Sequence, residues 1–400
     1  MLNLSEEVHK ELSQRIFPFW SSLADYDNGG FYGYVGYDGR VNKEAEKGAI
    51  LNARILWFFS AIYCLEKKTE ALELVSHAYD FMIDKLFDDK YEGLYWLVDF
   101  KGQPTDYRKH IYNQAFGIYA LSQYYKATGK VEALNNAIKL FKLIEKKCEN
   151  SNGYLEEFDR QWNKKENEML SENDVISDRT MNTHLHVLEA YTLLYEVSKD
   201  DTVRMRLYYL LDLIKTKIYS EKNHTLKVFF DNNWEETIEM QSYGHDIEGS
   251  WLIDRAAEIL EDKNLIDSTH AYTLRIAENI YKNAYSKLGV INETVNGITD
   301  AGRVWWVQAE SIVGFYNAYE KTKDNKYLEA SQELWKYIKN YVIDKRENSE
   351  WYWKLAEDNS PIINMPIVEP WECPYHNGRM CIEIIERMRR DDGGTISQGV

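Results

Sequence analysis

Six prolines in 400 residues leave little to interrupt a helix. Cysteine is scarcer still: Cys64, Cys148, Cys373 and Cys381 have no C-x-x-C spacing, which argues against a zinc knuckle or a disulfide framework. All four are expected to be small, buried, apolar residues. No apolar run approaches the ~18 residues of a membrane span. The N-terminus, MLNLSEEVHKEL, lacks a basic segment followed by an apolar stretch and a cleavage site, so the expected location is the cytoplasm, with no membrane partner. Positive charge is in deficit, 48 Lys+Arg against 65 Asp+Glu, for a net charge of −17. Such a surface repels phosphate backbones, and no basic stripe offsets it, which excludes nucleic acid as a partner. No G-x-G-x-x-G or phosphate loop follows a strand, so no redox cofactor is expected.

What the chain does have is apolar residues, 44% of the total with 14% aromatics, enough for a large core. Short Gly/Tyr stretches punctuate it: NGGFYGYV (28–35), YEGLYWLV (91–98) and NGYLEEF (152–158), with weaker counterparts HTLKVFF (224–230), KLGVINE (287–293) and SEWYWKL (349–355). They recur every 60 to 75 residues or so, the mark of an iterated unit. Before a mark lies a helix with one charged face, such as 71–87 or 326–343; after it comes a helix apolar on more than one face, such as LNARILWFFSAIY or VWWVQAESIVGFYNAYE. An all-round apolar helix is buried, so the second kind forms an inner ring. Six such pairs predict an all-α fold, an (α/α)6 barrel of six inner and six outer helices with short β-hairpins at one end. Residues 1–390 are expected to form a single domain, a monomer, and 391–400, without an apolar period, a flexible tail.

Unusual polar residues keep step with this repeat. Arg54, Tyr112, His186, His245, Trp306 and His376 fall on successive inner helices or at their starts. Asn182, His186 and Glu189 stand at i, i+4 and i+7, one stripe of a helix; His245 and Glu248 share a face, as do Trp306 and Glu310, and Trp371 precedes His376. HLH at 184–186 and H-x-x-E at 245–248 suggest metal ligation, but residues two apart on a helix point about 200° apart and cannot share an ion. No metal is expected. The other histidines, 9, 77, 110, 184, 224 and 270, read as hydrogen-bonded structural residues. His186, His245 and His376 do not: several imidazoles, an Arg and several Glu turned to one axis leave desolvated polar groups that only a polar ligand satisfies. Trp305, Trp306 and Trp371 beside them suit the apolar faces of sugar rings.

A glycosidase on this barrel needs two carboxylates across the scissile bond, whereas the conspicuous groups here are imidazoles, suited to moving protons near neutrality. Removing a proton beside a carbonyl leaves an enediolate, which a cation such as Arg54 stabilises; bases on opposite faces of that carbon permit inversion. A non-catalytic scaffold would keep its recognition residues on an exposed face. The stretches GAILNARILWFFSAIY (48–63), MNTHLHVLEAY (181–191), YGHDIEGSWL (243–252), WWVQAE (305–310) and WECPYHNGRMCIEII (371–385) resemble the cellobiose 2-epimerases, which belong with the N-acylglucosamine 2-epimerases. The resemblance implies an (α/α)6 barrel and reversible C2 epimerisation at the reducing end of β-1,4-linked disaccharides: cellobiose to glucosyl-mannose and lactose to epilactose, in some relatives with isomerisation of lactose to lactulose. It also implies roles. His245 and His376 are the two acid/bases, Arg54 stabilises the enediolate, His186 opens the ring, and Glu248 supports the catalytic histidine and binds hydroxyls. Asn182, Asp174, Tyr112, Trp371 and Trp305 or Trp306 line the pocket, with Glu310 favouring Trp306 as the ring that meets the sugar. A monosaccharide epimerase or isomerase and a glycoside hydrolase on the same barrel are the alternatives.

Overall fold

The computed structural model describes residues 4–147, 152–167 and 175–391. Six inner helices, Ala49–Glu66, Ile111–Thr128, Met181–Ser198, Tyr243–Glu258, Trp305–Thr322 and His376–Asp391, pack each on the next, and the sixth packs back on the first. The outer helices lie around them. Each of the first five inner helices packs on the outer helix that follows it, and the sixth packs on the N-terminal helix Leu4–Glu11, so the two ends of the chain close the ring. This is the expected (α/α)6 barrel.

Composition decides which helix goes where. In the first inner helix every residue from Ala49 to Ile62 is buried, whereas Val131–Lys147 in the outer layer buries only an alanine–leucine–isoleucine–phenylalanine stripe. Two expectations change here. Ala49–Glu66 is long and apolar enough to cross a membrane, although no such run was expected; 78% of it is buried in the bundle, so its apolarity serves the barrel core. Cys64, expected to be buried, is half-buried where this helix emerges beside Gln123; Cys373 and Cys381 are buried, and Cys148 lies outside the described residues. The expected tail, 391–400, is described only at its first residue, the end of the last helix.

The Gly/Tyr marks stitch the units together. Short strands just ahead of the inner helices, Lys47–Gly48, Lys109–His110, Arg179–Thr180, Met240–Ser242 and Arg303–Val304, each pair antiparallel with a strand at or near the next unit's mark. The bridge Val35↔Val368 closes the circle between the last unit and the first. Within units, the fourth residue of an inner helix holds the hairpin turn by its backbone. Gln114 accepts from Leu94 N at 2.7 Å, His184 from Tyr154 N at 3.0 Å, Asp246 from Leu226 N at 2.6 Å and Gln308 from Val290 N at 2.8 Å. His184 is thus a latch in a repeated series. The turn demands a left-handed residue: Gly93, at φ 72°, has no room for a Cβ, which would fall 2.9 Å from the latch oxygen of Gln114.

Candidate active site

A cavity of about 700 Å3 opens at the end of the barrel where the inner helices begin. Arg54, Tyr112, Asn182, His186, His245, Glu248, Trp305, Trp306, Trp371 and His376 all line it. Glu310 does not, and Asp174 lies outside the described residues.

The barrel's symmetry explains the convergence. Arg54, Phe116, His186, Glu248 and Glu310 are each the sixth residue of their inner helix, and Arg379 takes the corresponding place on the last. These six residues make a girdle across the barrel. The Arg54 guanidinium lies 4.2 Å from the Phe116 ring centre, and Phe116 lies 5.1 Å from His186. Arg379 donates to Glu248 and, at 2.7 Å, to Oε1 of Glu310; it also donates to Glu189 one turn deeper. His245 occupies a different helical phase from His186, so the alignment of His186 with His245 suggested by residue type is replaced by that of His186 with Glu248.

Each cavity histidine is held from behind by Nδ1. His186 meets Oε2 of Glu189 at 2.9 Å, His376 meets Oε1 of Glu310 at 2.8 Å, and His245 meets Oγ of Ser242 at 2.8 Å. Nε2 of each is left for the cavity. Trp306 stands between two of the rings, its centroid 4.8 Å from His245 and 5.3 Å from His376. Trp305, 1% exposed, packs edge-on against His376. Of the two indoles, the more exposed Trp306 is the broader wall.

Two expected partnerships change. Glu310 is sealed behind the wall, where both its oxygens accept N–H bonds, Oε1 from Arg379 and His376 and Oε2 from Trp251 at 3.1 Å. It orients His376 instead of meeting a ligand. Glu248 likewise has no hydrogen bond to His245: its Oε1 is taken by Arg379 and lies 3.9 Å from Nδ1 of His376, while Oε2 is buried without a protein partner. An unpartnered carboxylate oxygen in a cavity wall is an acceptor for a ligand hydroxyl. Glu248, Glu310 and His376 are spaced closely enough to hold a metal, but the guanidinium of Arg379 already bridges both carboxylates as their cation.

Burial sets the protonation. It pushes His245 down to about 4, against the opposing pull of Glu248, and lowers His376 well below the ordinary imidazole value, again opposed by Glu248. Burial also opposes ionisation of Glu189, but Arg379 and His186 hold it below the usual carboxylate range. Arg54 donates to the hydroxyl of Tyr112 at 2.7 Å and faces the cavity from the first helix, a fixed positive charge for an oxyanion. Arg379 and Ser242 were not among the expected residues, and Glu189, marked only as part of the stripe with Asn182 and His186, had been given no role. A lone arginine in the apolar run RMCIEII was the available signal for the first.

A family model described as N-acylglucosamine 2-epimerase (GlcNAc 2-epimerase) matches residues 30–377. The chain belongs to this family. Within the N-acylglucosamine 2-epimerase family it is 47% identical to the cellobiose 2-epimerase of Dictyoglomus turgidum, over 96% of this chain and 99% of that one. The solved cellobiose 2-epimerase of Bacillus thermoamylovorans superimposes with a TM-score of 0.93 at 50% identity, covering 97% of this chain and all of that one. A sugar epimerase from a ruminal bacterium gives a TM-score of 0.95 at 46% identity, over 96% and 99% of the two chains. The chain is a carbohydrate epimerase, a kind of isomerase.

Proposed function

We propose that this family member is a cellobiose 2-epimerase, which inverts C2 of the reducing-end glucose of β-1,4-linked disaccharides. Cellobiose becomes glucosyl-mannose and lactose becomes epilactose, with isomerisation of lactose to lactulose as a side reaction through the same enediolate. The observation that carries this reading is the pair of imidazoles facing one cavity, each anchored by Nδ1 and separated by the Trp306 indole. One ring takes the C2 proton; the C–H electrons form the C1=C2 bond of a cis-enediolate, and charge collects on O1 near Arg54. The other ring, carrying a proton, delivers it to the opposite face. One histidine enters neutral and leaves protonated while its partner does the reverse, so the pair is set for the return reaction. Before this the ring must open, a proton transfer suited to His186 with Glu189 behind it. The free oxygen of Glu248 and the buried, unpartnered Oδ1 of Asn182 are acceptors for sugar hydroxyls. A cavity of about 700 Å3 has room for a second sugar beyond the reacting one, which favours a disaccharide over a free monosaccharide.

The test is incubation of the chain with cellobiose, lactose and N-acetylglucosamine in deuterated water, with products and labelled carbons read by NMR. Deuterium at C2 of an epimerised disaccharide is expected, and His245→Ala and His376→Ala should each abolish epimerisation with the fold retained. Release of free glucose from cellobiose would favour a hydrolase, and turnover of N-acetylglucosamine alone would favour the monosaccharide branch.

A further inference from the structure

Ser242 occupies the position just ahead of the fourth inner helix, where a serine ordinarily caps the helix by accepting a backbone N–H. Here it does not: its side chain makes no cap bond, and Oγ lies instead 2.8 Å from Nδ1 of His245. The equivalent residue of the third inner helix, Thr180, caps in the usual way, accepting from Thr183 N at 3.0 Å. The hydroxyl of Ser242 has therefore been diverted from the helix to the imidazole. Ser242 is buried, and it lines the cavity. His245 is also unlike its two companions, since His186 and His376 are backed by carboxylates, Glu189 and Glu310.

We infer that Ser242 is the positioning residue of His245. It accepts the Nδ1 proton, turning the bare Nε2 toward C2 of the sugar, and it does so without placing a negative charge against the ring. The inference rests on the epimerase reading of the site. Only the tautomer with hydrogen on Nδ1 presents a lone pair at Nε2, so a base at this position requires an acceptor behind it. A carboxylate there would raise the ring's proton affinity and favour the imidazolium, whereas a hydroxyl fixes the geometry and leaves the ring neutral. The charged and titratable groups that face His245 are Glu248 on its own helix, His186 on the third inner helix and His376 on the sixth; Arg54 on the first inner helix, Tyr112 on the second, Glu293 and Lys354 line the same cavity. None of them hydrogen-bonds to Nδ1 of His245.

The experiment uses the full chain and cellobiose, comparing Ser242→Ala, Ser242→Thr, Ser242→Asn and Ser242→Asp over pH 4 to 9. Ser242→Ala is expected to lower kcat by about tenfold or more with KM little changed, and Ser242→Thr, which keeps the hydroxyl, to restore most of it. Ser242→Asp should move the acid limb of kcat/KM upward by about one pH unit, since a carboxylate beside the ring stabilises its charged form, while neutral Ser242→Asn leaves the limb in place. A wild-type chain that neither epimerises cellobiose nor exchanges its C2 proton overturns the epimerase reading and this inference with it. With an active wild type, an alanine variant of undiminished kcat, a threonine variant as impaired as alanine, or an unmoved acid limb in the aspartate variant each overturns the role of Ser242 alone. If the alanine variant does not fold, the contrast of aspartate with asparagine still decides.

Discussion

The indole of Trp306 lies 4.8 Å from the imidazole of His245, centroid to centroid, inclined at 56°. His376 lies 5.3 Å away from the same indole. In the proposed reaction a ring in that position is the wall against which the sugar is held with its reacting carbon near both histidines. Trp306→Ala should therefore raise KM about tenfold, a loss of roughly 1.4 kcal/mol of binding, and Trp306→Phe should recover part of it. Steady-state kinetics on cellobiose decides the matter. A fall in kcat at unchanged KM would mean that the indole serves to space the histidines and not to bind.

Glu310 reaches no ligand, yet its loss should be severe. Its two oxygens accept three N–H bonds, from His376, Arg379 and Trp251. In Glu310→Gln the amide NH2 must face one of those donors whichever way it is turned. Either way the His376 ring loses the carboxylate behind it, and kcat should fall at least about a hundredfold, close to 3 kcal/mol of barrier. Near wild-type turnover in this variant would show that His376 needs no carboxylate behind it.

Arg379 is 1% exposed and donates to Glu189, Glu248 and Glu310. Replacing it with Met leaves three buried carboxylates without their shared cation, and breaking buried ion pairs in this way costs about 3–5 kcal/mol. Urea denaturation of Arg379→Met should register that loss at pH 8 and a smaller one at pH 5, where protonation relieves the unpaired acids. A loss of under about 1 kcal/mol at both values would mean that the carboxylates are already neutral in the native chain.

The barrel was legible because burial writes itself into local pattern: an inner helix such as Ala49–Glu66 is apolar on every face, and the outer ones are not. The Gly/Tyr marks were clear in the first three units, where Gly30, Gly93 and Gly153 take the left-handed turn. They faded in the fourth and sixth, where His224 at φ 55° and Asn348 at φ 53° tolerate the same conformation. Cavity-lining histidines were also recognisable, as polar residues on apolar helices. What orients them was not. The Arg379–Glu189 bond joins residues 190 apart in the chain, and the His376–Glu310 bond spans 66, so no local period relates them. Spacing put His245 and Glu248 on one helix face, yet no hydrogen bond joins them, for a related reason: three residues apart on one helix is proximity, while a hydrogen bond depends on where the nearest donor from another helix stands, here Arg379.

Glu156 offers a test of burial by pH. It is 1% exposed, accepts from Thr180 N at 2.7 Å and from the hydroxyl of Thr183, and has Nε2 of His110 3.9 Å away; burial pushes its carboxyl up to about 8. In the unfolded chain it ionises near 4.5. Between those values the folded protein holds a proton that the unfolded chain has released, so its contribution to stability is full below about 4.5 and is lost as pH rises toward 8. Asp246 and Glu350, raised to about 7 by burial, act in the same direction over a shorter window. His110, His184 and His245, lowered to about 4 by burial, act oppositely, and only below their ordinary value of 6.5. Lys109, lowered to about 8 by burial, begins to act oppositely near the top of the range, so the interval from pH 6.5 to 7.5 isolates the carboxyls. Over it the melting temperature of the wild type should fall, and Glu156→Gln, which carries no proton to lose, should fall less. Parallel melting curves for the two chains across that interval would show that Glu156 is ionised in the fold, with the hydrogen bonds from Thr180 and Thr183 sufficient to hold its charge.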